Sequence, residues 1–346
     1  MDPADPAAAA RGRCDDVTAV VVAYDPDVEA LRQLLAELLL QVRQVVLVDN
    51  GSGTDVALAL PGAGAPAAAD DEAGIVLVRN GANLGIAAAQ NLGIERALAS
   101  PGCGYVLLSD DDSLPAAGMV AELRDALLQA DGPAPVAAAG PVTIDLRTGA
   151  AGAVLLDQQG RRRRSAAPPA GPAGAAGVRD VGFLIASGTL IPARVLRTLG
   201  GMRGEYFIDH VDTEWCFRAR AAGYRLLLAP RARLYHRLGE AVRRIRLLPS
   251  WPVPYHAPLR DYYAFRNTLL MQRDTAISVH WRFHQLLRLA RFAAYYLLLG
   301  DLRMQRVRYM WLGIRHGLGR VSGRLVAGTT MCEAIPVTPL DPASPR

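Results

Sequence analysis

The sequence contains no lysine: all 38 of its basic residues are arginine. A phosphate-binding GxxxxGK[ST] loop, which needs a lysine, is therefore excluded. Cysteine is scarce as well. Cys14, Cys103, Cys216 and Cys332 lie far apart without a CxxC pair, which excludes a zinc ribbon or a disulfide framework and fits a reducing compartment. No run reaches the roughly 18 apolar residues that cross a bilayer, and Met1–Asp16 lacks the apolar core of a secretion signal. These absences predict a cytoplasmic chain with no transmembrane helix. No GxGxxG follows the first strand-like run, which argues against a dinucleotide dehydrogenase.

What is present describes a globular protein. The chain has 346 residues, 51% hydrophobic and 21% charged, enough for one large domain or two smaller ones. The net charge of +5 conceals a division. Residues 1–150 carry 8 arginines against 21 acids, whereas residues 151–346 carry 30 arginines against 12 acids. An acidic half joined to a basic half predicts two tasks, the basic one facing an anionic partner.

Strand and helix patterns alternate along the first half. Val17–Tyr24, Gln44–Val48, Ile75–Val78 and Tyr105–Ser109 are short apolar runs that read as buried parallel strands. Helical spacing separates them, with Val28, Leu31, Leu35 and Leu38 in the first gap and the alanine-rich Ile86–Leu98 in the third. Pro115 suits the first turn of a further helix carrying Met119, Leu123 and Leu127. This alternation predicts a doubly wound α/β sheet, whose ligands bind beyond the C-terminal strand ends. Gly132–Pro141 and Ser165–Gly177 read as loops, with the arginine run Arg161–Arg164 before the second. Phe183–Ile191 reads as a strand, Asp212–Ala222 as a short helix and Arg225–Ala229 as another strand.

Polar clusters stand at the expected strand ends. Asp110-Asp111-Asp112 follows the fourth strand, and alternate carboxylates of an extended segment, Asp110 and Asp112, suit a hard cation shared with a diphosphate; a solvated acidic turn is the plainer alternative. Asp49-Asn50 suits a base or ribose contact, or an Asx turn. Asn83-Leu84-Gly85 either lines a nucleotide pocket at a helix start or caps that helix. Phe207–Arg218 gathers Asp209, His210, Asp212 and Glu214 beside Trp215, and one of its carboxylates can serve as a general base. His236 follows a later strand, as a structural histidine or as a nitrogen ligand to a metal at the triplet.

The segments VVVAYDP, VLVDNGS, NLGIAAAQNLGIERA, VLLSDDDS, FLIASGTLI and YFIDHVDTEWCFRARAAGY occur in that order from Val17 to Gly239. Together they resemble family 2 inverting glycosyltransferases of GT-A fold, and PLRDYYAFRN at Pro258–Asn267 resembles their rhamnosyltransferase branch. The resemblance implies a GT-A type mixed, mainly parallel sheet over residues 17–240, with a donor half (17–142) and an acceptor half (178–240). Around it lie a disordered N-terminus (1–16), an arginine-rich helical extension (241–330) and a tail (331–346). It also implies a site: Tyr24, Asp49, Asn83, Asp110 and Asp111 for the nucleotide sugar, and Asp110, Asp112 and His236 for Mg²⁺ or Mn²⁺. Asp212 is the implied catalytic base; Val211 stands where the family has Glu, so Asp209, His210 and Glu214 remain rivals. Ser187, Gly188, Asp209, His210, Glu214 and Trp215 fall on the acceptor side. The implied donor is dTDP-L-rhamnose, and the implied acceptor is a glycolipid, with extension of a mono-rhamnolipid to a di-rhamnolipid favoured. A lipid-carried saccharide of O-antigen or other cell-surface polysaccharide assembly is the alternative acceptor. Two other classes remain, a sugar nucleotidyltransferase and a non-catalytic nucleotide-sugar-binding protein; the first would carry a glycine- and basic-rich loop where this chain has Ala23-Tyr24-Asp25-Pro26.

The C-terminal part adds a surface. Over Leu302–Leu318, Met304, Val307, Trp311, Ile314 and Leu318 form an apolar stripe at helical spacing, with Arg303, Arg306, Arg308 and Arg315 outside it. Either the stripe packs on the catalytic domain, or the helix lies on an anionic membrane surface. Residues 231–346 hold 19 arginines against 6 acids, which favours peripheral contact with the inner face of the cell membrane. Arg161–Arg164 lacks any surrounding nucleic-acid module and reads as a loop or a solvated run.

Overall fold

The computed structural model describes residues 12–61, 74–146, 149–152, 154–158, 161–165, 177–236, 241–244 and 252–325. The expected tail (331–346), Cys332 and most of the Ser165–Gly177 loop lie outside these residues. In strand β1 (Cys14–Ala23), Val20 and Val22 enter one core while Ala19, Val21 and Ala23 enter another on the opposite sheet face. Burial on both faces is why the strand reads as an unbroken valine run. It starts before the expected boundary at 17, because the Cys14 N–H donates to the Gln41 carbonyl.

Helix α1 (Val28–Leu39) is capped by Asp27, whose carboxylate accepts from the Glu29 and Ala30 N–H groups. It leads into β2 (Val42–Asp49) and β3 (Ile75–Arg79), and helix α2 (Ile86–Ala99) leads into β4 (Tyr105–Asp110). These four strands are parallel, with β1 between β2 and β4. Leu31, Leu34, Leu35 and Leu38 of α1 fill one core; Ala87, Ile94 and Ala97 of α2 join the other. The two helices thus cover opposite faces of the doubly wound half.

The next elements depart from the sequence reading in three places. Ser113–Pro115 is a short strand, β5, and helix α3 (Met119–Leu128) begins only after it; Pro115 ends an edge strand rather than opening a helix. Val136–Asp145, half of it read as loop, is a long strand, β6, with Ala137, Ala138 and Ala139 fully buried. Alanine alone has little strand preference, so burial between neighbouring strands decides its state. The arginine run is also a strand: β7 (Val154–Gln158) pairs antiparallel with β8 (Arg161–Ser165).

Beyond β9 (Arg179–Asp180), Ser187 and Gly188 form a turn, and only Leu190–Pro192 is strand, β10. Helix α4 (Ala193–Leu199), helix α5 (Val211–Ala221) and the long strand β11 (Arg225–His236) follow. Among the described residues the sheet runs β3-β2-β1-β4-β10-β6-β11-β5, with β9 also on β11. It is mixed and mainly parallel, with β10 antiparallel to both β4 and β6.

The C-terminal segment opens with an antiparallel strand pair, β12 (Ala241–Arg244) and β13 (Pro252–Tyr255). Three helices follow, α6 (Pro258–Asp274), α7 (Val279–Leu298) and α8 (Arg303–Leu318). A Cβ on Gly313 would lie 2.5 Å from the Tyr262 carbonyl oxygen, and one on Gly317 would lie 2.8 Å from Leu269 Cβ. Glycine at both positions lets α8 pack backbone-close on α6. The apolar stripe consequently points outward: Met304, Trp311, Ile314 and Leu318 are exposed, Trp311 by 53%. Arg306, which lies outside the stripe, is fully buried. It forms a 2.8 Å ion pair with Asp261, donates to the His256 carbonyl and lies 4.0 Å from the Tyr296 ring centroid. Such partners compensate the large desolvation cost of a buried guanidinium. No described helix is long and apolar enough to cross a membrane.

Candidate active site

Register brings the residues expected on the donor side into one row. Ala23 of β1 pairs with Asp49 of β2, and Val22 pairs with Asp110 of β4, so Tyr24, Asp49 and Asp110 emerge together at the C-terminal strand ends. Asp49 is buried; its Oδ1 accepts from the Ser52 N–H at 2.9 Å, and its Oδ2 lies 3.6 Å from Arg79 Nη1. It thus closes an Asx-type turn and still turns its second oxygen toward a cation. Arg79, at the end of β3, was not singled out in the sequence.

Three asparagines tie this edge together. Asn50 Oδ1 accepts from Asn80 Nδ2 and from the Leu84 N–H, and Asn50 Nδ2 donates to Asn83 Oδ1. Asn83 Oδ1 also accepts from the Gly85 N–H at the start of α2. Asn83 therefore holds the loop that precedes this helix. Gly85 has φ +84°, and a Cβ there would sit 2.5 Å from the Phe207 ring. Only glycine lets the loop before α2 meet the segment before α5.

The triplet is folded, not extended. Asp110 ends β4, and Asp111 and Asp112 make the turn into β5. β5 pairs with β11 so that Ser113 faces His236. This pairing, rather than strand alternation, brings the metal candidates together: His236 Nε2 lies 3.8 Å from Asp110 Oδ2 and 3.6 Å from Asp112 Oδ1. Among the described residues, Asp110, Asp112 and His236 each place a potential ligand atom within 4.8 Å of the others. Asp111 turns away, its Oδ2 accepting from the Tyr24 N–H at 3.1 Å. Burial, reinforced by the charges of Asp110 and Asp112, pushes the Asp111 carboxyl up to about 7.

Ser187 and Gly188, expected on the acceptor side, brace this turn from inside. Ser187 is 1% exposed; its Oγ accepts from the Asp110 N–H at 3.1 Å and lies 2.6 Å from Ser113 Oγ. The Gly188 N–H donates to the Leu108 carbonyl. Their polar atoms hold the strand bearing Asp110.

The four titratable residues around α5 have different surroundings. Burial raises the Asp209 carboxyl, but the Arg260 guanidinium 2.7 Å away outweighs it and holds the group below the ordinary range. His210 is buried against Thr268, 2.9 Å from Nε2 to Oγ1; burial and then the charge of Arg288 push it down to about 4. Glu214 is buried and bridged to Arg218 at 3.2 Å, and Thr275 donates to it. Trp215 is buried too, with its indole N–H on the Gly200 carbonyl. Glu214 and Trp215, both expected on the acceptor side, thus face the interior. Asp212, in the first turn of α5, accepts from the Thr213 N–H and hydroxyl. Burial raises its carboxyl above the ordinary range, and the charge of Asp110 adds to the rise.

Helix α6 completes the site, although the sequence singled out none of its side chains for a role. Arg260, Tyr263, Asn267 and Thr268 all meet the Tyr206–His210 segment. The signal was present in PLRDYYAFRN, but only as a branch resemblance.

The chain matches the family model described as glycosyl transferase family 2 over residues 18–148. It is 30% identical to the dTDP-rhamnosyl transferase RfbF of Shigella flexneri over 265 residues, covering 76% of this chain and 82% of that protein. A solved structure of GalNAc-T7 with UDP, GalNAc and Mn²⁺ is similar in fold, with a TM-score of 0.51 and 13% sequence identity. That match covers 88% of this chain, which spans 57% of the GalNAc-T7 chain.

Proposed function

Since the chain belongs to glycosyl transferase family 2, we propose that it is an inverting rhamnosyltransferase that moves L-rhamnose from dTDP-L-rhamnose to a hydroxyl of an amphiphilic glycolipid. The donor rests on the similarity to a dTDP-rhamnosyl transferase over most of both chains. The observation that carries the chemistry is the different state of three neighbouring carboxylates. Asp209 and Glu214 are bridged to arginines, whereas Asp212 bonds Thr213 and has a raised affinity for a proton. Asp212 is thereby suited to take the proton of the acceptor hydroxyl. The acceptor oxygen then bonds to C1 of the sugar from the face opposite the diphosphate, the bond from C1 to the diphosphate oxygen breaks, dTDP departs and the configuration inverts.

Asp110, Asp112 and His236 fit a divalent cation. One potential ligand atom from each lies within 4.8 Å of the others, with His236 Nε2 3.6 and 3.8 Å from the two carboxylates, and carboxylate oxygens suit Mn²⁺ or Mg²⁺. A cation held there would neutralise charge on the leaving diphosphate. Ser187 and Ser113 fix the backbone of the turn that carries the two aspartates, and Asp111 joins that turn to β1 through Tyr24. Asp49 and Arg79, at the β2 and β3 ends, are suited to a base or ribose contact.

The amphiphilic acceptor is supported by the outer surface of the C-terminal helices. On α7, Val279, Phe283, Leu286 and Leu297 are exposed along one stripe, with exposed Arg291 to one side, whereas Arg288 lies on the opposite face, where its charge acts on His210 and Asp209. Residues 275–300 contain no acid. An apolar stripe flanked by arginine alone is complementary to an anionic lipid surface, where a glycolipid acceptor resides. The decisive test incubates the protein with nucleotide sugars, mono-rhamnolipid and lipid-linked saccharides, reading products by mass spectrometry and anomeric configuration by NMR. Cation-dependent, inverting transfer from dTDP-L-rhamnose to mono-rhamnolipid is the expected result. Transfer only to the lipid-linked saccharide moves the acceptor class, and transfer only from another nucleotide sugar overturns the donor.

A further inference from the structure

The segment before α5 has an unfavourable backbone. Phe207, Asp209 and His210 have φ values of +63°, +65° and +64°, and none is glycine. Left-handed backbone at a non-glycine residue costs roughly 1–3 kcal/mol and persists only where surrounding structure enforces it. Here one helix enforces it. Asn267 of α6 is fully buried, and its Nδ2 donates to the carbonyls of Tyr206, Ile208 and Asp209 at 2.9, 2.7 and 2.9 Å. Its Oδ1 accepts from Arg266 Nε at 2.9 Å, which fixes the direction of the amide. Arg266, also fully buried, adds hydrogen bonds to the carbonyls of Glu205 and Tyr206. Arg260, Tyr263 and Asn267 lie at i, i+3 and i+7, so one face of α6 meets the segment. Along it, Arg260 pairs with Asp209 and Tyr263 stacks on Phe207 at 5.1 Å.

We infer that Asn267 is a positioning residue for the transfer reaction: by gathering three carbonyls onto one amide it holds the strained Tyr206–His210 segment, and thereby sets Asp212 against the acceptor hydroxyl. The inference rests on the proposed role of Asp212. The physical reason is geometric. Asp212 lies two residues beyond His210, so relaxation of that left-handed residue re-aims the first turn of α5. Phe207 sits against Gly85 of the donor-side loop, so the same segment also sets the spacing between donor and acceptor. No other side-chain type of this size offers two N–H donors to the segment and an acceptor to Arg266.

The test compares N267D, which keeps the shape and the acceptor oxygen but replaces the donor nitrogen, with N267A. Calorimetric titration with the dTDP product counts folded, binding-competent sites, so turnover per site does not depend on how much protein folds. Both variants are expected to lose about 10²-fold in kcat per site, the scale of a 1 Å misplacement, with dTDP affinity near that of the wild type. The acid limb of the kcat profile is also expected to move, because the surroundings of Asp212 change. L289A, which opens the buried contacts of α7 away from the segment, is expected to lower stability without changing kcat per site. An unchanged kcat and pH profile per site in N267D or N267A overturns the inference. If neither variant yields binding-competent sites, the role is general folding and the inference also fails. D212N separates the two readings: substantial turnover in D212N removes the base assignment, whereas an inactive D212N with normal N267A removes only the positioning role.

Discussion

His236 Nε2 lies 3.6 Å from Asp112 Oδ1 because two short stretches of backbone, Ser113–Pro115 and Leu234–His236, pair antiparallel. The pairing makes a histidine at the end of one strand and an aspartate in a distant turn into one ligand set. H236A is therefore expected to raise the Mn²⁺ concentration for half-maximal turnover by at least about 10-fold, and D112N to abolish cation-dependent transfer. Turnover measured against added metal after chelation checks both, and an unchanged metal requirement in H236A would falsify the assignment.

Asp212 should govern the acid limb of the pH profile. Its raised carboxyl must be ionised to accept a proton, so kcat/KM is expected to fall at a pH above the ordinary carboxylate range. D212N should bind donor and lose transfer, while D209N keeps more turnover because Arg260 already neutralises that carboxylate. A profile governed by an ordinary carboxylate value would move the role elsewhere.

Ser187 gives a different signature. S187A removes the acceptor of the Asp110 N–H and the partner of Ser113 Oγ, at a cost of about 1–3 kcal/mol for the groups left unpaired. Denaturant unfolding should show that loss, and kinetics should show a reduced kcat with little change in acceptor KM. A rise confined to acceptor KM would restore the direct contact that the buried position argues against.

Two buried histidines should make the fold acid-sensitive. His210 and His256 are both pushed down to about 4, chiefly by burial, from an ordinary value of 6.5. Between those values the unfolded chain binds more protons than the folded one, so stability rises with pH and its gain is complete above about 6.5. The two together are expected to contribute on the order of a few kcal/mol, lost as pH falls toward 4. Urea unfolding at pH 5 and pH 7 measures the difference, and H210Q should flatten it in part.

The outward stripe of α7 predicts lipid contact. A full-length F283S/L286S variant should bind phosphatidylglycerol vesicles at least about 10-fold more weakly, since each side chain contributes roughly 1.5–3 kcal/mol when fully buried. Its thermal midpoint and its turnover of a detergent-dispersed acceptor should match the wild type. Loss of self-association instead of vesicle binding would identify a second copy of the chain as the occupant.

Local pattern carried much of the first half of the fold. Valine runs buried on both faces and leucines at helical spacing are settled within a few residues, which is why β1 to β4 and their helices were readable, as were the polar clusters at their ends. Long-range packing decided the rest. The alanines of β6 become strand only because other strands enclose them, and Pro115 ends a strand because β11 lies beside it. In α8 the apolar stripe was legible from its period, whereas its outward direction is set by packing. Gly313 and Gly317 allow a closer helix contact than Trp311 or Ile314 could, and they bring Arg306 inside with Asp261. The absence of lysine determined that every buried cation here is an arginine, able to bond several carbonyls or carboxylates at once. Which arginines are buried, and which carboxylates they neutralise, depends on contacts between residues far apart in the chain. That is why the sequence, by resemblance, implied Asp212 as the base and left Asp209, His210 and Glu214 as rivals, while only the tertiary structure decided which of these carboxylates arginines bridge.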